Sequence, residues 1–331
     1  PITFSIPGSP PWSPKNYDGH FHGSITLRTA LGSSYNIPAV KLLERYGINQ
    51  MVQLAKDLGI TTWDDPNRFG LALTLGSNEV KMTDLAQVYG TFANLGINVP
   101  LNPILFITDS SGKNLSFSPC QKSVPAPDFG LTNPVQAATD NDCLPHQAIS
   151  PETAYLISDI LSDNQARSPA FGTHSVLNIK NNQVAVKTGT SNNLRDNWTI
   201  GYTPDYLVAV WVGNNDNQPM SHVASGITGA SPIWAKTITQ LLANSLQAYF
   251  PTPPNIVKIP ICSLTGTLTC PTCPQTKLET FIKGTQPNTA CTERQIAELL
   301  TAKLSPPIAQ ITPAKPNKPG RLLPVAASTS R

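Results

Sequence analysis

Val184-Ala185-Val186-Lys187-Thr188-Gly189-Thr190-Ser191 is a short apolar run that ends in Lys-Thr-Gly-Thr. The apolar part has the length of one buried strand, and the glycine and hydroxyl residues mark where the chain leaves the core. Two further strand signals follow at 197–202 and 206–213, joined through Asn192-Asn193 and Thr203-Pro204-Asp205. Connections this short join antiparallel neighbours, so 183–188 is expected to open a meander and to lie at its edge. A helix over 232–249 follows the strands. Upstream, Ser150 ahead of Pro151 is a capped helix start for 151–162, since proline in the first turn loses no hydrogen bond there. The pattern is that of an α/β (α+β) domain, a central antiparallel sheet flanked by helices.

Outward from this centre the signals thin. Residues 1–23 are rich in Pro, Gly and Ser and read as an extended segment, with Trp12, Tyr17 and Phe21 available to cover a core. Helical spacing begins at Ser24, through Ile25, Leu27, Arg28 and Leu31, and breaks at Gly32-Ser33-Ser34. A second helix is expected from Asn36, capped by it, with Val40, Leu42, Leu43 and Tyr46 as its apolar face and Gly47 as its end. A third covers 50–58, and a fourth carries Leu85, Ala86, Val88, Tyr89 and Phe92. Residues 102–108 read as a strand and Asp109-Ser110-Ser111-Gly112-Lys113 as a hairpin turn. Residues 114–148 read as an inserted loop. Pro251-Thr252-Pro253-Pro254 marks a boundary. The expected division is therefore 1–250, an extension at 251–304 with a short helix near 293–304, and a disordered Pro-rich tail at 305–331.

Composition narrows the class. A hydrophobic share of 40% in 331 residues supports a packed core. A net charge of +3, with no basic block or aromatic-basic stripe, argues against nucleic acid as a partner. No run approaches the ~18 apolar residues that span a bilayer. The chain opens Pro-Ile-Thr-Phe with neither an initiator Met nor a basic leader, and is read as the interior of a longer protein. Four of the six cysteines, Cys262, Cys270, Cys273 and Cys291, crowd the C-terminal region. A single Cys-x-x-Cys favours a disulfide-stapled appendage in an oxidising compartment over a zinc knot, without fixing connectivity. Cys120 and Cys143 are read as able to staple the inserted loop.

The chemistry gathers on two motifs. An edge strand ending in Lys187-Thr188-Gly189-Thr190 can pair with an extended peptide, and Gly189 lets a backbone approach without a Cβ in the way. The hydroxyls of Thr188 and Thr190 suit a terminal carboxylate, Lys187 places a positive charge beside it, and the Thr190 N–H is a candidate oxyanion donor. Ser34 and Asn36, in the turn between two helices, suit a proton relay and the binding of an amide or amine. Ser-x-Asn alone is a common capping phrase, and Lys-Thr-Gly-Thr alone is a strand ending. Their order and contexts together point to acyl transfer. His20 and His22 lack a third ligand nearby in sequence, so no metal site is read. Asp196-Asn197-Trp198 reads as an anchor for the second strand, and Trp63, Trp198, Trp211 and Trp234 as core, with Trp198 able to line the cleft.

Gly23 through Val40, with Trp12-Ser13-Pro14-Lys15-Asn16-Tyr17 ahead of it, resembles the second-motif region of class A, bifunctional penicillin-binding proteins. Lys187–Ser191, Arg195–Pro204 and Val210–Asn214 resemble their third-motif region, and Cys262 to Cys291 resembles C-terminal extensions found on some members. The resemblance covers residues 10–250 and implies a penicillin-binding-protein/β-lactamase-like fold. It implies a D-Ala-D-Ala transpeptidase that cross-links peptidoglycan stem peptides through a serine acyl-enzyme, is acylated by β-lactams and needs no cofactor. It also implies a membrane-anchored parent with its catalytic domain on the extracytoplasmic face, a glycosyltransferase domain elsewhere in that parent, and a place in a cell-wall synthesis complex. Ser34, Asn36 and Lys187 would be catalytic, and Thr188, Gly189 and Thr190 would bind substrate. The family's Ser-x-x-Lys nucleophile motif precedes Ser-x-Asn. Here the only Ser-x-x-Lys is Ser110 to Lys113, on the hairpin turn, and it is read as a solvated turn. Two rival readings are a β-lactamase or carboxypeptidase, and a non-catalytic peptidoglycan- or β-lactam-binding module.

Overall fold

The computed structural model describes residues 2–4, 11–104, 106–115, 144–191, 194–220, 227–245, 247 and 249–304. A bridge between Phe4 and Trp12 leads into α1 (Leu27–Gly32), where the Thr26 side chain accepts from the Thr29 N–H. A turn through Ser33 and Ser34 then opens α2 (Asn36–Tyr46), and Gly47, at φ 97°, bends the chain into α3 (Ile48–Asp57). Leu43 and Val52 of these helices pack with Phe69 and Leu73 in a small cluster that also takes in Trp63. Beyond two short 3₁₀ turns lies α4 (Met82–Ala93).

Two minor pairings follow. β1 (Ile97–Asn98) pairs with β4 (His146–Gln147), and β2 (Ile107–Thr108) forms a hairpin with β3 (Asn114–Leu115). Then come α5 (Pro151–Ser162), α6 (Asn164–Phe171), β5 (Ala185–Thr190), β6 (Asp196–Tyr202), β7 (Leu207–Gly213) and α7 (Ala230–Leu242). The chain continues through β8 (Ile256–Cys262), β9 (Thr276–Ile282) and α8 (Glu293–Leu304).

β5, β6 and β7 form an antiparallel sheet in that order, with Lys187 opposite Ile200 and Gly189 opposite Trp198. β5 is thus an edge. Side chains of a strand alternate between faces. Val184 and Val186 accordingly pack with Trp234, Ile238 and Leu242 of α7, while Ala185 packs oppositely with Tyr155 of α5, Tyr202 and Phe250. The same alternation carries Lys187 to the α5 face. β8 and β9 form a separate hairpin, which two disulfides, Cys262–Cys273 and Cys270–Cys291, fasten to the loops around it.

The meander, the Ser150 cap and the 109–113 turn stand where the sequence places them. Several local expectations are corrected. Asn36 does not cap α2: Tyr35 holds the cap position with no side-chain bond, and the Asn36 amide donates to the Lys15 carbonyl instead. On α2, Val40 and Leu43 are buried but Leu42 and Tyr46 are exposed, so the apolar stripe is narrower than the residue types suggest. Tyr17 and Phe21 are exposed too, and Trp12 meets Phe4 rather than covering a core. The 102–108 strand shrinks to two residues, since its partner among the described residues is the equally short β3. α7 ends at Leu242, not 249. α6 escaped the sequence reading because Pro169 interrupts its pattern, although Asp163 caps it and Gly172 ends it. Cys120, Cys143 and the tail from 305 lie outside the described residues.

Candidate active site

The turn between α1 and α2 is pinned from below. The Ser33 hydroxyl, buried, donates to the Ala166 carbonyl of α6 at 2.8 Å. Gly32 lies so close that a Cβ there would sit 3.0 Å from the Ala166 backbone and Cβ. Ser34 then takes a left-handed conformation, φ 57°, uncommon for a residue with a side chain. This turns its Oγ toward β5, where the Lys187 ammonium donates to it at 2.6 Å. Lys187 Nζ also donates to the Thr188 carbonyl at 2.8 Å. Two side chains 153 positions apart therefore meet. Burial, reinforced by the nearby charge of Arg167, pushes the Lys187 amine down to about 8. An amine so poised exchanges protons with a hydroxyl far more readily than an ordinary lysine.

Of the sequence-read residues, Ser34 and Lys187 come together and Asn36 does not join them directly. Its amide nitrogen is held by the Lys15 carbonyl at 2.8 Å. The segment before α1 wraps over this turn: buried Asn16 accepts from the Ile37 N–H and donates to the His20 carbonyl. His22 stacks on Tyr35, ring centres 4.1 Å apart, and pairs with Asp18 at 2.8 Å. Thr188, Gly189 and Thr190 run along the edge strand, half-buried. A Cβ at Gly189 would meet only the Trp198 Cβ, at 3.5 Å, so a backbone can approach there. Ser110 sits exposed on the β2–β3 turn, where Asp109 gathers the hydrogen bonds of Ser111 and Lys113.

Sequence reasoning missed two arginines. Arg167, almost fully buried on α6, donates to the carbonyls of Leu161 and Leu177 and so ties α5 and the loop before β5 to the helix that supports the Ser34 turn. Arg28 of α1 pairs with Asp159, Asp163 and Glu279. A cation within an amphipathic stretch gives no sign of partners 131 to 251 positions away.

The lysine–serine pair thus lies where the Ser34 turn meets strand β5. The profile of the penicillin binding protein transpeptidase domain matches residues 3–238, and that of the penicillin-binding protein 1A C-terminal domain matches 252–295. The chain belongs to the penicillin-binding protein transpeptidase family.

Penicillin-binding protein 1A of Neisseria meningitidis is 31% identical over 234 residues, 70% of this chain and 26% of that protein. The chain thus spans about a quarter of that relative's length. The crystal structure of penicillin-binding protein 1A from Haemophilus influenzae superposes with a TM-score of 0.72 at 25% identity, covering 88% of this chain and 45% of that one. The fold is also that of the PonA1 protein from Mycobacterium tuberculosis, solved in complex with penicillin V (TM-score 0.58, 20% identity, 76% of this chain and 64% of that one).

Proposed function

We propose that this chain is part of a class A penicillin-binding protein, working in peptidoglycan cross-linking as a D-Ala-D-Ala transpeptidase. Its ligands are stem peptides and β-lactams, and its place is the extracytoplasmic face of the membrane. No helix among the described residues is long and apolar enough to cross a bilayer. Residues 1–250 form the transpeptidase portion and 251–304 its extension. The observation that carries the reading is the 2.6 Å contact between Lys187 and Ser34 beside the edge strand β5.

In this reading the stem peptide adds to β5 as a further strand, and Thr188 and Thr190 hold its terminal carboxylate. The nucleophile is a serine of the family's Ser-x-x-Lys motif, supplied upstream. It attacks the carbonyl of the penultimate D-Ala while the lysine of the same motif takes its proton, and the oxyanion is met by backbone N–H donors that include Thr190. Ser34 passes a proton to the leaving D-Ala nitrogen, and Lys187 replenishes it. Asn36 turns from Lys15 to the substrate amide.

Fluorescent penicillin labelling, read by intact mass, tests this on the chain and on a version extended to include the nucleophile. Labelling of the extended form alone is expected. Labelling of residues 1–331 alone would move the nucleophile to a serine within them. No labelling of either would leave a binding module that does not form the acyl-enzyme.

A further inference from the structure

We propose that a second cleft, at the start of β5, binds an uncharged, N-acetylated saccharide. It goes beyond the acyl-transfer site and draws on that reading only for the polymer that would supply such sugars. The cleft holds about 580 Å³ and is walled by the 178–183 loop, by α5 and by the segment entering β8. Tyr155 and Gln183 lie within the stretch matched as transpeptidase, and Thr252 and Lys258 within the stretch matched as the C-terminal domain, so neither stretch forms the cleft alone. Ligand sites favour such junctions.

Its chemistry is selective. Among the described residues no carboxylate lines it and Lys258 is the sole cation, which disfavours metal ions and multiply charged anions. Five lining residues, Asn178, Asn181, Asn182, Gln183 and Gln247, carry primary amides. An amide both donates and accepts, as sugar hydroxyls and acetamido groups do. Gln183 is committed to the wall: its oxygen accepts from the Phe250 N–H at 3.1 Å, fixing the 249–250 segment against the loop. Asn178, Asn181, Gln247 and the Tyr249 hydroxyl make no side-chain hydrogen bond among the described residues. Tyr249 is 62% exposed and offers a ring face of the kind on which the C–H face of a pyranose stacks. Asn181, exposed at a tight bend, stands at φ 59°, a left-handed position that asparagine tolerates better than most residues. Gln183 precedes Lys187 by four residues, ~13 Å along an extended chain, so one polymer can reach both sites.

The test is saturation-transfer NMR on the chain with three probes: the N-acetylglucosamine tetramer, the glucose tetramer and tri-alanine. The expected result is transfer to the acetamido methyl protons of the first probe, with affinity at least tenfold above the other two. Tyr249→Ala and Asn181→Gly, the latter keeping the left-handed bend while removing the amide, should each weaken binding tenfold or more at an unchanged melting temperature. Absence of transfer overturns the proposal, as does equal binding of the glucose tetramer or of the peptide, or binding that both variants retain. Penicillin labelling of the extended form does not depend on these residues, so failure here leaves the acyl-transfer reading untouched.

Discussion

A methyl group added at Gly201 would lie 2.3 Å from Cζ2 of the fully buried Trp234 and 3.0 Å from the Ala185 carbonyl, whereas one at Gly189 meets a single atom at 3.5 Å. The two glycines lie on opposite faces of the sheet: one makes room for the core, and the other, in the proposed function, for a ligand. Gly201→Ala should therefore cost about 1–3 kcal/mol in urea denaturation through overpacking. Gly189→Ala should stay within about 0.5 kcal/mol of the parent yet lower penicillin labelling of the extended form by at least tenfold. Equal loss of stability in both variants would refute the distinction. Lys187 makes a second case. Its amine is depressed to about 8, so the unfolded chain holds this proton over a pH range in which the folded chain has released it. Stability gained from this group is then missing below about pH 8 and grows as pH rises toward the ordinary lysine value of 10.5. Urea midpoints at pH 7.5 and 9.5 should show that rise in the parent and not in Lys187→Met. A rise of the same size in both would remove Lys187 as its source.

Among the elements, α7 shows how a strand can begin a helix. Gly229 occupies its cap position without a side chain to offer, and the Ala230 N–H is taken instead by Asn197 of β6, at 2.7 Å, with Asn197 fully buried. Asn197→Ala leaves that donor buried and unmet, and thermal denaturation should show a loss of about 1–3 kcal/mol; a change below 0.5 kcal/mol would mean that the helix start finds another acceptor. This bond also bears on what the sequence disclosed. Asp196-Asn197-Trp198 reads as an anchor because polar residues interrupt an apolar strand, but the helix end it serves is invisible until the two elements pack. The strands themselves were legible, since period-two burial and short turns are written locally. So was the pair of motifs that meet as Ser34 and Lys187, though their 2.6 Å contact was not. Short elements misled: Asn36 has the chemistry of a cap, but α2 already starts at Asn36 with Tyr35 at the cap position, and the Asn36 amide nitrogen donates to the Lys15 carbonyl. α6 was hidden by Pro169, and with it Arg167, because a helix supported by tertiary contacts can carry a proline that propensity alone forbids.

For the molecule as a whole, the decisive contact joins its two matched regions. Arg28 of α1 meets Asp159 at 2.5 Å, Asp163 at 3.2 Å and Glu279 of β9 at 2.6 Å, its side chain only 11% exposed. Thr280 adds a bond to Asp159, and Lys277 pairs with Glu279 at 2.6 Å. The C-terminal hairpin is thereby fastened to the helix that leads into the Ser34 turn. Removing the central cation leaves Asp159 and Asp163 without a counter-charge and Glu279 with Lys277 alone, so Arg28→Ala should destabilise the chain by about 3–5 kcal/mol. Glu279→Gln should cost clearly less, because Asp159 and Asp163 still neutralise Arg28. The two variants also differ in acid. Burial works against the Glu279 charge, but the Lys277 hydrogen bond and the Arg28 charge outweigh it and hold the carboxyl below its ordinary 4.5. The unfolded chain thus takes up this proton first: the contribution is complete above pH 4.5 and fades as pH falls through the lower folded value. Denaturation curves of the parent and Glu279→Gln should accordingly separate at pH 7 and converge toward pH 3. A gap that persists undiminished at pH 3 would show that Glu279 acts through its packing and not its charge, and the polar link from hairpin to α1 would then run from Thr280 through Asp159 of α5 to Arg28.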